Sequence, residues 1–240
     1  MKINYTLIKF IGLFTFLITI WSFSSVKNGK RIVSNPEVSF VGSNTNMFIT
    51  SQAVSNLLIQ SQGSAQSVTK DVLNLNSLEQ SLTNNPMVSS AEVYVNTLGQ
   101  LSAKVEQKQP IARVIGATQF YIDSKGGFMP LSNNYTERVP LVTGKVIRTD
   151  LKTVFTISDY INKDDFLKKQ VIEIHQNDDK TIDLKLRSAA FVVQIGTLNQ
   201  LEKKINNLKA FFIKANKNKV LGQYKKVNLQ FDNQVVCTKF

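Results

Sequence analysis

The sequence is poor in the side chains on which most enzyme and metal sites depend. Among its 240 residues there is one cysteine, and there is one histidine, His175. A disulfide within the chain needs two cysteines and a Cys/His zinc site needs several ligands of these two types, so both are excluded. A Cys–His or Ser–His dyad would have to use that single histidine. An enzyme built on this sequence would therefore depend on carboxylates and lysines.

Acidic residues are scarce relative to basic ones. The chain has 17 Asp and Glu against 29 Lys and Arg, a net charge of +12 at pH 7. The basic residues are densest between positions 203 and 226, at Lys203, Lys204, Lys209, Lys214, Lys217, Lys219, Lys225 and Lys226. Such a run favours a solvated helix face and loop, with an anionic bilayer or an acidic protein as alternative partners. Nucleic acid is the least favoured partner because lysine dominates the basic residues.

The remaining candidates for chemistry have structural interpretations. Alternation along a strand places His175 opposite Ile172 and Ile174, which predicts a surface or interface histidine. Asp178-Asp179 lies between two strand signals and predicts a turn rather than a metal site. Cys237 lies in an alternating segment and predicts a small apolar filler. The sequence thus predicts no catalytic residue, metal, cofactor or small-molecule substrate, and it favours a binding protein.

One long apolar run lies near the amino terminus. Residues 5–26 carry Lys9 as their single charge, and about 20 such residues span the roughly 30 Å hydrocarbon core of a bilayer. This predicts a transmembrane helix after a tail of residues 1–4; a cleaved signal peptide with an apolar part from Phe10 to Trp21 is the alternative. Basic residues lie on both sides of the run, so the positive-inside rule gives no clear orientation. A short amino tail ahead of a long exported part favours a cytoplasmic amino end.

Residues 38–110 predict a small α+β domain that follows a polar juxtamembrane spacer of residues 27–37. The apolar run Val38–Val41 has the length of a strand. Thr50 then precedes a helix with one apolar face and is a candidate N-cap. From Gln60 to Lys70 the residues lack periodicity, which predicts a loop.

A second helix and a hairpin complete this domain. Asn76 with Glu79 three residues later resembles a capping box that opens the helix, and Pro86 ends it. Alternating apolar residues on both sides of Gly99 predict two antiparallel strands joined by a turn. The predicted order is β-α-α-β-β, with both helices on one face of a three-stranded sheet.

Residues 111–240 predict a second, mixed α/β domain with a mostly antiparallel sheet. Strand signals occur at residues 111–114, 119–123, 139–144, 171–175, 181–187, 191–195, 227–231 and 235–237. Helical patterns cover Leu151–Ile161, with Asp150 as a candidate cap, and Leu198–Asn216. Pro140 interrupts the third strand signal and predicts an edge or irregular strand there.

Several short motifs resemble a known family. Those of the first domain resemble a POTRA domain: Val38-Ser39-Phe40-Val41-Gly42, Phe48-Ile49-Thr50, Asn85-Pro86-Met87-Val88 and Lys108-Gln109-Pro110-Ile111-Ala112. Those of the second domain are similar to the β domain of the FtsQ/DivIB cell-division family: Tyr121-Ile122-Asp123-Ser124-Lys125-Gly126, Pro140-Leu141-Val142-Thr143-Gly144 and residues 227–236. The resemblance covers nearly the whole chain, including the predicted transmembrane helix.

The resemblance implies a non-enzymatic, bitopic divisome scaffold in the cell inner membrane, enriched at the division septum. It implies a cytoplasmic amino terminus, periplasmic POTRA and β domains, and a role in assembling the septal cell-wall synthesis machinery. Upstream divisome proteins would bind the POTRA domain. A component of an outer-membrane protein assembly or secretion system that carries a POTRA domain is the alternative.

The resemblance also implies a binding site. In the family, the FtsB/FtsL coiled-coil pair binds the β domain, and FtsB adds a strand along its last long strand. The implied contacts here are Gln230, Phe231, Asp232, Asn233, Gln234, Val235 and Val236. Gln230 stands where the family often has an arginine that pairs with an acidic partner residue. The resemblance therefore implies the strand contact without that charge pair.

Overall fold

The structure, a computed structural model, describes residues 5–34, 36–42, 48–61, 69–232 and 234–240, and the side chains from Lys9 onward. The chain divides into two compact units, Met1–Gln107 and Lys108–Phe240. Each unit has its own cluster of buried apolar residues. Most of the loop predicted over residues 60–70 lies outside the described residues.

The first unit begins with helix α1 (Tyr5–Gly29). The helix continues past the predicted end at Val26, and its part from Lys9 to Gly29 is long and apolar enough to cross a membrane by length and composition. The hydroxyls of Thr15 and Thr19 donate to backbone carbonyls one turn earlier. These bonds satisfy polar groups that would otherwise be costly in a hydrocarbon environment.

The rest of the first unit is a small sheet with two helices. Its elements are β1 (Glu37–Val41), α2 (Ser51–Ser61), α3 (Leu75–Thr83), β2 (Val88–Val95) and β3 (Leu101–Gln107). The strand order is β1-β3-β2, with β1 parallel and β2 antiparallel to β3. The core includes Val54, Leu58, Leu78, Leu82, Val93, Leu101, Ala103 and Val105. The predicted β-α-α-β-β order and the hairpin turn at Gly99, with φ of 88°, are confirmed.

The two helix caps of this unit have different outcomes. Thr50 Oγ1 accepts the backbone N–H of Ala53 at 3.1 Å, as predicted. The cap of α3 is Asn74, whose side chain accepts the N–H of Ser77 at 3.1 Å. The capping box assigned to Asn76 and Glu79 is therefore wrong. Both residues lie inside the helix. Asn74 and Asn76 are both candidate N-caps by residue type, and the sequence pattern did not distinguish between them.

The second unit contains a nine-stranded sheet. Its elements are β4 (Pro110–Val114), β5 (Phe120–Asp123), β6 (Phe128–Met129), β7 (Leu141–Gly144), α4 (Lys152–Lys163), α5 (Asp165–Gln170), β8 (Val171–Gln176), β9 (Ile182–Leu186), β10 (Val192–Gly196), α6 (Leu201–Lys217), β11 (Tyr224–Asn228) and β12 (Val236–Lys239). The strand order is β12-β11-β10-β9-β8-β7-β4-β5-β6. Antiparallel pairs outnumber parallel ones, which confirms the predicted mostly antiparallel sheet.

Helices α4 and α6 supply much of the apolar core of the second unit. Their buried side chains join inward residues of the sheet in one cluster, and the residues that the helices contribute include Val154, Ile157, Ile161, Ile205, Leu208 and Phe212. The apolar spacing of three and four that predicted both helices also gives each of them this inward face.

Strand β7 corrects the prediction made from Pro140. The strand lies inside the sheet, parallel to both β4 and β8, and is not an edge strand. Pro140 stands immediately before it, where its carbonyl accepts the N–H of Arg113 at 3.0 Å. A proline at this position removes no amide from the strand itself, so it does not exclude a central place.

Helix α4 and the segment that follows it also differ from the prediction. The N-cap of α4 is Leu151 rather than Asp150. The carboxylate of Asp150 pairs with Lys180 at 2.7 Å and also accepts a hydrogen bond from the backbone of Lys152. The short helix α5 was not predicted; Asp164 caps it by accepting the N–H groups of Phe166 and Leu167.

A β-bulge corrects the alternation predicted around the histidine. The register of β8 against β9 shifts between Val171 and Glu173. Ile172 is therefore 39% exposed, whereas Ile174 is fully buried. His175 is half-buried on the face opposite Ile174, as predicted. Ile172 does not share the buried face with Ile174, so that part of the predicted alternation is wrong.

Candidate functional site

The candidate site is the hairpin of β11 and β12 at one edge of the large sheet. β11 pairs parallel with β10, and β12 pairs antiparallel with β11. Within the described part of the chain, β12 is the last strand in the sheet order. One side of its backbone therefore remains available for hydrogen bonds.

The direction of the backbone groups of β12 follows from one hydrogen bond. The N–H of Phe240 donates to the carbonyl of Gln223 at 3.2 Å, so the backbone of Phe240 faces β11. In an antiparallel pair the N–H and C=O of successive residues point to opposite sides. The register shift in this pair falls on the β11 side, between Tyr224 and Lys226. The backbone groups of Cys237 and Lys239 consequently point away from β11.

The side chains of this hairpin alternate between core and solvent. Val227 and Leu229 are buried, and Val235 and Cys237 pack partly buried against the same core. Burial raises the pKa of the Cys237 thiol above its ordinary value. Cys237 is an apolar filler, as the sequence predicted. Val236, 40% exposed, is on the solvent side.

The structure places most of the residues implied by the family resemblance in the β11–β12 connection rather than on a strand. Among the described members of that set, Val236 alone lies within β12, and Asn233 is outside the described residues. Gln230, Phe231, Asp232, Gln234 and Val235 fall between Asn228 and Val236. Their role in partner binding stays a prediction. The available strand edge continues to Thr238 and Lys239, which are not among the implied contacts.

Gln230 packs back onto the sheet. A Cβ placed on Gly196 would lie 2.6 Å from Nε2 of Gln230, and Gly196 has φ of 70°. Glycine is required at position 196 both by this backbone conformation and by the close approach of the glutamine side chain. The backbone N–H of Gln230 is bonded to the side chain of Asn228 at 2.9 Å.

The lysine-rich segment separates into structural and exposed lysines. Lys204 donates to the carbonyls of Ile195 and Thr197 at 2.9 and 2.7 Å, and Lys209 forms an ion pair with Asp164. Burial lowers the pKa of Lys204, and the negative charge of Asp232 opposes that effect. Three other lysines are exposed on the hairpin itself: Lys225, Lys226 and Lys239. The available edge is therefore electropositive.

A second polar cluster surrounds His175. Its ring Nδ1 lies 2.9 Å from Oγ1 of Thr143, which also donates to Glu173 at 2.9 Å. Glu173 pairs with Lys185 at 2.8 Å, and together with Asp183 these groups line a cavity of about 250 Å³. Burial would raise the pKa of Glu173, but the hydrogen bonds from Lys185 and Thr143 lower it below its ordinary value. This is a satisfied ion network.

The described residues contain no cluster of three or more His, Cys, Asp or Glu side chains placed to hold a metal ion. The Asp178-Asp179 pair forms the turn between β8 and β9, as predicted, with Asp179 accepting the N–H of Thr181 at 3.0 Å.

Comparison with known domains defines the class of protein. Residues 32–106 match the POTRA-like domain, and residues 109–238 match the family described as FtsQ/DivIB, C-terminal related. The two matches follow each other along the chain, after an apolar helix. The chain thus combines an apolar helix, long enough to cross a membrane, with a POTRA-like domain and a sheet-based domain.

The chain belongs to the FtsQ/DivIB family, since the C-terminal match covers more than half of it. It is also similar to the cell division protein FtsQ of Geotalea daltonii, with 24% identity over 179 residues. That similarity spans 70% of this chain and 64% of the relative, which is less than two thirds of the relative's length. The family is one of cell-division proteins and is not a known enzyme family. Within the described residues, helix α1 is long and apolar enough to cross a membrane.

Proposed function

We propose that this protein is a divisome scaffold that binds an FtsB/FtsL-type partner by adding a partner strand to the outer edge of β12. The observation that carries the proposal is the available edge: the backbone groups of Cys237 and Lys239 point away from β11. An unpaired strand edge offers N–H and C=O groups at the spacing of a sheet, and an extended peptide can complete it.

The charge at this edge specifies the kind of strand that fits. Lys226 and Lys239 are exposed there. A partner segment with carboxylates next to its apolar residues would complement these lysines, since charge complementarity across an interface favours encounter and register. The exposed lysines would supply the positive charge that Gln230 does not.

The β11–β12 connection would contribute side-chain contacts to the same interface. Phe231 is 48% exposed in this connection, and aromatic side chains are frequent anchors of protein interfaces. We include the contacts implied for residues 230–236 in the proposal, with Gln230 held against Gly196 rather than extended toward a partner. Phe231→Glu is expected to weaken partner binding.

A matched pair of variants tests strand addition. Lys239→Pro removes an outward amide from β12, whereas Lys239→Ala removes the same charge and keeps the amide. We expect Lys239→Pro to weaken binding of the FtsB/FtsL-type partner by at least about tenfold, the cost of a lost hydrogen bond together with a blocked edge. Lys239→Ala should change affinity less than that. Titration calorimetry with the soluble partner segment measures both.

The same experiment can also contradict the proposal. Equal affinities of the proline and alanine variants, with circular dichroism spectra like that of the unmodified protein, would exclude backbone pairing at this edge. Photoreactive residues at Val236 and Thr238 should crosslink to the partner, while one at Ile213, which is exposed on α6, should not.

The proposal extends to assembly and location. A cytoplasmic amino terminus, periplasmic domains, enrichment at the septum and contact of the POTRA-like domain with upstream divisome proteins are supported by family membership. Fluorescence microscopy of a tagged chain tests septal enrichment, and a uniform distribution along the cell envelope would contradict it.

A further inference from the structure

A cavity of about 480 Å³ lies beside the carboxy-terminal end of α1. Trp21, Ser24 and Ser25 line it from one face of the helix, because residues three and four apart are neighbours on a helix surface. Lys27 and Arg31 line it further along the chain. Thr97, from the turn between β2 and β3, completes the wall. The cavity thus lies between the end of an apolar helix and a folded domain of the same unit.

Backbone contacts hold this end of the helix in place. The guanidinium of Arg31 donates to the carbonyl of Thr97, and the carbonyl of Arg31 accepts the N–H of Lys70 at 3.0 Å. The carbonyl of Gly29 accepts the N–H of Asp71 at 3.2 Å, and a Cβ on Gly29 would lie only 2.1 Å from the Asp71 carboxylate. Glycine at position 29 therefore permits the close approach, and the cavity is bounded by ordered backbone.

The side chains that line the cavity suit an anion with several oxygen atoms. They include the ammonium of Lys27, the guanidinium of Arg31 and the hydroxyls of Ser24 and Ser25, and the described lining contains no carboxylate. A guanidinium has five N–H donors, so the bond to Thr97 leaves donors on Arg31 for a ligand. Arginine and lysine together are the usual partners of phosphate oxygens.

The position of the cavity identifies the source of the phosphate. Trp21 and Phe23 are 75% and 72% exposed, and the described side chains of the helix before them, from Lys9 to Ile20, are exposed as well. Indole rings favour the level of the lipid headgroups. We propose that this cavity binds the phosphodiester headgroup of an anionic phospholipid. The proposal assigns a role to Lys27 and Arg31, which follow the apolar part of α1 on the side where the positive-inside rule predicts few basic residues. The inference depends on α1 crossing the bilayer and is independent of partner binding at β12.

Trp21 provides the test because it is the single tryptophan of the chain and lines the cavity. The full chain is placed in nanodiscs that contain equal mole fractions of phosphatidylglycerol and phosphatidylcholine, with bromine on the acyl chains of one lipid or the other. Bromine quenches indole fluorescence on contact. We expect brominated phosphatidylglycerol to quench Trp21 more strongly, with a local preference on the order of fivefold for each contacting cation.

Matched glutamine variants locate the preference. Lys27→Gln should lower the preference for phosphatidylglycerol by most of the fivefold factor assigned to one cation. The substitution breaks no hydrogen bond between described residues. Lys27→Gln with Arg31→Gln should abolish the preference. Lys30→Gln is the control: it makes the same charge change on an exposed neighbour that does not line the cavity, and it should keep the preference. Circular dichroism checks that the variants are folded.

Three results would overturn the proposal. The first is equal quenching by both brominated lipids in the unmodified protein. The second is an equal loss of preference in Lys27→Gln and Lys30→Gln, which would indicate a diffuse surface charge. The third is removal of the preference by inorganic phosphate at low millimolar concentration, which would identify a free phosphate as the ligand.

Discussion

Asp123 illustrates how single residues stabilise the turns of the second unit. The side chain is 3% exposed, and Oδ1 accepts the N–H groups of Lys125 and Gly127 at 2.9 and 2.8 Å. Oδ2 pairs with the ammonium of Lys108 at 2.9 Å. Burial alone would raise the pKa of Asp123, but the hydrogen bonds from Lys108 and from the two amides outweigh it, so the pKa lies below its ordinary value.

This lowered pKa predicts a pH dependence of stability. The unfolded chain takes up a proton at Asp123 at a higher pH than the folded chain does. The stabilisation is therefore complete above the ordinary aspartate pKa and is lost as the pH falls through the lower folded pKa. We expect Asp123→Asn to destabilise the second unit at pH 7 by about 1–3 kcal/mol and to reduce its loss of stability between about pH 5 and pH 2.

Urea unfolding at several pH values measures this effect. Asp159→Asn is the matched control, since Asp159 pairs with a largely exposed Lys163 on the outside of α4, and exposed pairs contribute about 0–1 kcal/mol. Equal losses of stability at neutral pH in the two variants would contradict the role assigned to Asp123.

At the scale of elements, the edge strands of the two sheets differ in how many of their backbone groups are free to bind another strand. The outer backbone groups of β12 are available, whereas an outward N–H at the centre of β2 in the first unit is already bonded. The N–H of Val93 donates to Oε1 of Glu79, on α3, at 2.8 Å. The Glu79 carboxylate thus accepts a backbone N–H that could otherwise donate to a strand from another protein. Glu79, predicted as half of a capping box, instead seals an edge.

Removing this seal has a predictable result. Glu79→Ala should destabilise the first unit by about 1–3 kcal/mol, because it leaves a part-buried N–H without its partner. Glu79→Gln retains the acceptor oxygen and should recover most of that loss. Thermal unfolding of the two variants provides the comparison, and the edge role is disproved if glutamine is as destabilising as alanine.

At the scale of the whole molecule, two separate apolar cores are the main feature. The buried clusters of the first and second units share no residue among those described. The chain division at Gln107 and Lys108 also coincides with the change from the POTRA-like match to the FtsQ/DivIB match. Two cores of this kind need not unfold in a single cooperative step.

We therefore expect two unfolding transitions in calorimetry of the full chain. Leu82→Ala and Leu184→Ala make the same change at fully buried positions, one in each core. Each should cost about 2–5 kcal/mol and lower one transition while leaving the other in place. A single transition that both variants lower equally would show that the chain unfolds as one unit.

The candidate site was only partly predictable from the sequence. Alternation predicted strands near Val227 and Val235, and the structure has β11 and β12 there. The implied contact residues came from the family resemblance, while alternation in the sequence continues through Phe231. The chain instead leaves the sheet between Asn228 and Val236. Local periodicity does not predict the residue at which a strand stops pairing with the next strand, since that depends on the pairing of distant segments.

The sequence by itself determined the elements of this protein: their periods, the proline and glycine that end them, the apolar helix at the amino end and the absence of a disulfide. Those features depend on neighbours within a few residues, where steric and hydrogen-bonding preferences act directly. The tertiary structure alone decided that β7 is central, that Asn74 rather than Asn76 caps α3, and that the chain leaves strand structure between Asn228 and Val236. Each of these results from competition among long-range contacts, in which the arrangement that buries most apolar surface with its polar groups satisfied prevails.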